Sequence, residues 1–157
     1  MMGDYNQKPK RCSSDRQDGY SNENQAADPK YVFESAGYKA EWITNEADAL
    51  LPEFADKMGK YMADNGLTNS KIRSIYGEIK RIQMGEFEKE KASFYLLKPK
   101  VAYALGRDKK NKGLQLFKFI FDRSTKDVSN QKTYYNFCNL LEAILAYHKA
   151  IGRDCLI

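Results

Sequence analysis

The chain has 157 residues, 42% of them apolar and 30% charged, and a net charge of +5. That length suits one domain around one hydrophobic core and is too short for separate nucleotide-binding and substrate domains. The composition excludes wholesale disorder, and the longest apolar stretches, about five residues as in Val101 to Leu105, fall far short of the ~20 that span a bilayer.

Residues 1–45 read as a polar extension rich in Asn, Gln, Asp, Ser and Gly. Its apolar patches are Tyr31-Val32-Phe33 and Tyr38 to Ile43. It is expected to be mobile to about residue 30 and then to run extended over the body, with Trp42 as the anchor. Met1 to Asp18 lacks the apolar core of a secretory signal, and a cytoplasmic location is expected.

Residues 46–157 carry helical periodicity throughout. Leu51, Phe54, Ala55, Met58, Tyr61 and Met62 recur at i, i+3, i+4 spacing. Asp64-Asn65-Gly66 ends that run, with Gly66 suited to the left-handed position after a helix. Thr68 is placed to cap a second helix with Ile72, Ile75, Tyr76, Ile79 and Ile82 on one face, ending near Gly85. A third helix begins near Glu86 and carries Phe87, Phe94, Leu97, Val101 and Leu105. Pro99 should kink or divide it, because proline donates no backbone hydrogen bond. Leu114, Phe117, Ile120 and Phe121 mark a fourth helix. Ser129 is expected to cap a fifth, with Phe137, Leu140, Leu141, Ile144, Leu145 and His148 in one stripe and Gly152 at its close. The predicted fold is all-α, a compact bundle of about five helices behind a polar, partly disordered N-terminal extension.

The residues offer little for catalysis. Cys12, Cys138 and Cys155 are odd in number and widely spaced, which gives neither a disulfide framework nor a zinc pattern. His148 is the one histidine, and its place on the apolar stripe reads as packing. Cys138 reads as a small hydrophobe. Glu86, Glu88 and Glu90 alternate with Lys89 and Lys91, the pattern of a mixed-charge helix surface. No glycine-rich loop precedes a Lys-Ser or Lys-Thr pair. Most of the aromatic residues fall at helical spacing and read as core. No catalytic residue, metal, cofactor or small-molecule substrate is expected, and no membrane.

Charge is distributed unevenly. Residues 31–66 hold three basic and seven acidic groups, whereas residues 67–126 hold fifteen basic and six acidic, a net of +9. Lys98, Lys100, Arg107, Lys109, Lys110 and Lys112 meet one acid, Asp108. Such density favours a polyanion, through phosphate contacts and counterion release.

Three segments, in order, carry a resemblance. They are Leu67-Thr68-Asn69-Ser70-Lys71-Ile72-Arg73, then Leu97-Lys98-Pro99-Lys100-Val101-Ala102-Tyr103-Ala104-Leu105-Gly106-Arg107, then Phe137-Cys138-Asn139-Leu140-Leu141-Glu142-Ala143-Ile144-Leu145-Ala146-Tyr147-His148-Lys149. Over about residues 46–152 the chain resembles the small subunit of the type III-A CRISPR effector, the Csm complex. The first 45 residues do not match that family.

The resemblance implies a helical protein without its own catalytic activity, stacked in several copies inside a ribonucleoprotein filament. It would line the groove for guide and target RNA, beside other subunits that cleave. The candidate RNA-binding residues are Lys71, Arg73, Lys80, Lys98, Lys100, Arg107 and Lys109, all within the cationic segment. Their expected partners are the backbones of guide RNA and target RNA, with other effector subunits and copies of this chain alongside. A helical protein–protein adaptor or regulator that binds no nucleic acid is the alternative.

Overall fold

The computed structural model describes residues 28–151, which form seven helices and no strand. They are α1 (Pro29–Ser35), α2 (Glu41–Thr44), α3 (Leu50–Asp64), α4 (Asn69–Met84), α5 (Phe87–Gly106), α6 (Lys112–Thr125) and α7 (Gln131–Ile151). The all-α expectation holds. Cys12, Cys155 and Gly152 lie outside the described residues.

α7 is the hub, packing on α2, α3, α4 and α5. Its buried stripe comprises Tyr134, Phe137, Cys138, Leu140, Leu141, Ile144 and His148, with Leu145 half-buried at the margin. The closest packing is with α3, where Gly59 lets the two backbones meet. A Cβ there would stand 2.7 Å from the His148 nitrogen and 2.7 Å from the Ile144 oxygen. α6 packs on α1, α3 and α5, and α4 lies along α5. Between α4, α5 and α7, the rings of Phe87, Phe94, Tyr134 and Phe137 interlock at centroid separations of 5.3–6.4 Å. The Tyr134 hydroxyl donates to the Ile79 carbonyl at 2.8 Å, so this aromatic residue is buried with its polar end satisfied.

The helix ends follow local chemistry. Gly66 takes φ +99° after α3, and the Leu67 N–H returns to the Met62 carbonyl at 3.1 Å, the long bond of a Schellman motif. Thr68 stands at the cap position of α4 with extended backbone, but its hydroxyl pairs with that of Ser70 at 3.2 Å instead of a backbone N–H. α7 is capped one residue later than Ser129. Asn130 Oδ1 accepts from the Thr133 N–H at 2.9 Å, while Thr133 Oγ1 accepts from the Asn130 N–H at 2.9 Å. This is a reciprocal capping box in which threonine takes the role of glutamate. α5 runs through Pro99 undivided. The missing N–H leaves the Tyr95 carbonyl without its intrahelical partner, and both residues are exposed, so water can supply the bond.

Another expectation is also corrected. The segment after residue 28 is not extended but forms two short helices, α1 and α2. Local propensity is weak there, and long-range contacts make the difference. Trp42 is 1% exposed, with its ring 5.2 Å from Phe54 and 5.8 Å from Tyr38. Its indole N–H donates to Asp48 at 2.7 Å. Asn136 of α7 holds the far end of α2, donating to the carbonyls of Ile43 at 2.9 Å and Asn45 at 3.0 Å. Trp42 is thus an anchor, as expected.

Candidate nucleic-acid interface

The isoleucine face of α4 fixes the direction of its polar side chains. Ile72, Ile75, Ile79 and Ile82 turn inward. Lys71, Ser74 and Glu78, spaced i, i+3 and i+7, then fall along the edge that faces α5. From α5, Pro99, Lys100 and Tyr103 face back. Together they line a groove of about 910 Å³, closed at one end by Arg107 and Asp108 and floored in part by Leu114.

The groove brings together three of the seven expected residues, Lys71, Lys100 and Arg107. Lys71 Nζ lies 3.0 Å from Asp108 Oδ2. Asp108 is also held by Asn111 Nδ2 at 3.1 Å, and the same amide group donates to the Gly66 carbonyl at 2.9 Å. The Lys71 ammonium and then Asn111 hold the Asp108 carboxyl below the usual carboxylate range. Lys71 is therefore tied to the loop before α4 and to the start of α6. Arg107 lies over the Tyr103 ring, 5.8 Å from its centroid. Glu78 faces the same groove, and bonds from Arg81 at 2.8 and 3.1 Å keep it ionised, with Lys100 adding to that effect.

The other four stand elsewhere. Arg73 is exposed, on nearly the opposite side of α4 from Lys71. Lys80 turns toward α7, 3.9 Å from Glu142 and 5.8 Å from the Tyr76 ring centroid. Lys98 is exposed on the far side of α5 from Lys100. Lys109 is exposed in the loop after α5, where its carbonyl accepts from Gln115 Nε2 at 2.6 Å. Folding thus spreads the cationic segment over several faces. Within the groove, three cations meet two carboxylates, which leaves a modest positive excess. Sequence reading missed Ser70, Ser74 and Tyr103, which add hydroxyls and an aromatic face to the lining. Ser70 and Ser74 lie at i, i+4 beside Lys71, and that spacing was the available signal.

The acidic run behaves as a surface. Lys89 reaches Glu86 at 3.6 Å, Lys91 reaches Glu88 at 3.1 Å and Arg81 reaches Glu90 at 3.2 Å. Cys138 is buried, and burial pushes its thiol up to about 12, which makes it a packing group and a poor nucleophile. His148 is 6% exposed, and its Nε2 meets the Leu67 carbonyl at 2.6 Å. Among the described residues, no group of three or more His, Cys, Asp or Glu is placed to hold a metal ion. No described helix is long and apolar enough to cross a membrane.

The family model described as Csm2 Type III-A matches residues 45–154, which takes in α3 to α7 and the whole groove. The chain belongs to the Csm2 family. That family is the small subunit of the type III-A CRISPR effector. The match begins just after α2, so α1 and α2 lie before it. No curated protein and no solved structure matches the chain.

Proposed function

We propose that this Csm2-family chain is a non-catalytic RNA-binding structural subunit of the type III-A ribonucleoprotein. Several copies stack along the guide–target groove in the cytoplasm, next to the other effector subunits. Its basic residues, Lys71, Arg73, Lys80, Lys98, Lys100, Arg107 and Lys109, contact phosphates of guide and target RNA and leave sequence reading to base pairing. The observation that carries this reading is the α4–α5 groove, where Lys71, Lys100 and Arg107 converge within the family-matched region. The spread of the remaining cations over other faces suits a subunit that touches an RNA path at several points.

The test is a titration of single-stranded RNA at two or more salt concentrations. The parent is expected to bind weakly, without sequence preference, and with affinity falling as salt rises. Lys100→Ala with Arg107→Ala removes up to two cations that pair with phosphates. The slope of log K against log salt should then shrink by about 0.7 for each phosphate no longer neutralised. An unchanged slope would remove the groove from the RNA path. Absence of RNA binding by the parent, alone and within the reconstituted effector, would refute the function.

A further inference from the structure

α5 differs from its neighbours in being apolar on both sides. Phe87, Phe94, Leu97 and Val101 face the core. Yet Tyr95 is 63% exposed, Leu96 58% and Tyr103 67%. At 100° per residue these three fall on one outward stripe, with Pro99 and Ala92 between them. A contiguous exposed apolar stripe is informative where a single exposed leucine is not. The stripe continues into the groove, since Pro99 and Tyr103 also line it.

The rim of the stripe identifies the occupant. Lys98 borders one side, and Lys100 and Arg107 border the other. None of these three has a carboxylate within ion-pair distance among the described residues. Lys91 and Lys89 add to the two rims near the start of the helix, each beside a glutamate. An aromatic centre between cationic edges complements a single nucleic-acid strand. Phosphates meet the lysines, and unpaired bases lie on the rings, because every base has a π-face whatever its identity. A duplex would offer phosphates but keep its bases stacked inside.

We propose that the outward face of α5 is a ledge on which unpaired bases stack, with Tyr95 and Tyr103 as two steps about 12 Å apart along the axis. Arg107, already over the Tyr103 ring, extends that step with its guanidinium plane. The inference rests on the RNA-binding reading above and adds to it that the bases, not only the backbone, are touched.

The experiment uses the full chain and three probes: a short single-stranded RNA, an abasic ribose-phosphate oligomer of the same length, and a blunt RNA duplex. Tyr95→Ala with Tyr103→Ala is expected to weaken single-strand binding by at least ~10-fold, since each base stacked on an aromatic ring contributes substantially. For Tyr95→Ala alone, whose ring lies outside the groove lining, abasic and duplex binding should not change, nor should the salt slope. Tyr95→Phe with Tyr103→Phe keeps the rings and should keep parental affinity. Both residues are exposed, so the melting temperature serves as a folding control. If the parent binds the abasic oligomer as tightly as the RNA and the alanine variant binds RNA normally, stacking is overturned while phosphate binding stands. If the parent binds none of the three probes, the ledge is overturned, and the RNA-binding reading falls with it only when the reconstituted effector also binds no RNA.

Discussion

Gly59 and Gly77 both stand inside long helices, and the same substitution should move stability in opposite directions. Alanine is favoured over glycine in a helix interior by about 1 kcal/mol, because glycine loses more backbone freedom on folding. At Gly77 on α4, an added Cβ meets nothing within 4 Å. The full gain of about 1 kcal/mol should appear, raising the melting temperature by roughly 2–4 °C for a chain of this size. At Gly59, the Cβ would lie 2.7 Å from the His148 nitrogen, 2.7 Å from the Ile144 oxygen and 2.8 Å from the Tyr147 Cβ. Two of these are backbone atoms that cannot swing aside, so α7 must back away from α3. The shift also strains the bond between His148 Nε2 and the Leu67 carbonyl, because His148 itself is displaced. Overpacking of this kind costs about 1–3 kcal/mol, which matches or exceeds the propensity gain. A net loss of up to roughly 2 kcal/mol is expected for Gly59→Ala, measured by thermal and urea unfolding of both variants beside the parent. If Gly59→Ala stabilises the protein as Gly77→Ala does, the close crossing of α3 and α7 is wrong.

Trp42→Ala should cost about 3–5 kcal/mol, as truncation of a fully buried aromatic does, although Trp42 precedes the family-matched region. A loss below about 1 kcal/mol in urea unfolding would show that the α1–α2 segment does not share the core. Asp48 accepts from Lys39 Nζ at 2.8 Å and from the Trp42 indole. These bonds, Lys39 first, lower its carboxyl from 3.8 to about 2. The folded form therefore binds the proton more weakly than the unfolded chain. The stabilisation is present above the unfolded value and is lost as pH falls from about 4 through 2. Asp48→Asn should flatten that part of the melting-temperature profile between about pH 5 and 2, and a profile identical to the parent's would refute the linkage.

The cationic groove has a consequence for mutagenesis. Lys71 is the least clean of its basic residues to alter, because its ammonium also bridges to Asp108 and so to Asn111, which caps α6 through a 2.8 Å bond to the Leu114 N–H. Its removal leaves Asp108 facing the groove without its nearest counter-charge. Lys100 and Arg107 carry no such burden, which is why the salt-slope test rests on them.

Pattern along the chain suffices for the helical body from Leu51 onward. Apolar residues recur there at the 3.6-residue period over successive segments, and Gly66 stands where a left-handed turn ends the first of them. Many of the same residues made the family legible, because its three segments lie mostly within those helices and run only a residue or two past their ends. Core and surface were also separable on α7, where the apolar stripe is broad and unbroken, and Trp42 was legible as an anchor. The remainder came from packing between segments distant in the chain. The helices of residues 29–44 have little periodicity of their own and depend on Phe54, Asp48 and Asn136, residues that local pattern does not connect to them. The cap of α7 shifted from Ser129 to Asn130 because Thr133, one turn on, completes a reciprocal pair with it. Which cations converge, and which are neutralised, depends on distances between α4, α5 and α7 that composition does not contain. Tyr95 and Tyr103 look like core residues in a helix apolar on two faces. Their exposure follows because, among the described residues, α4, α6 and α7 cover the core-facing stripe of α5 and leave its outward stripe open.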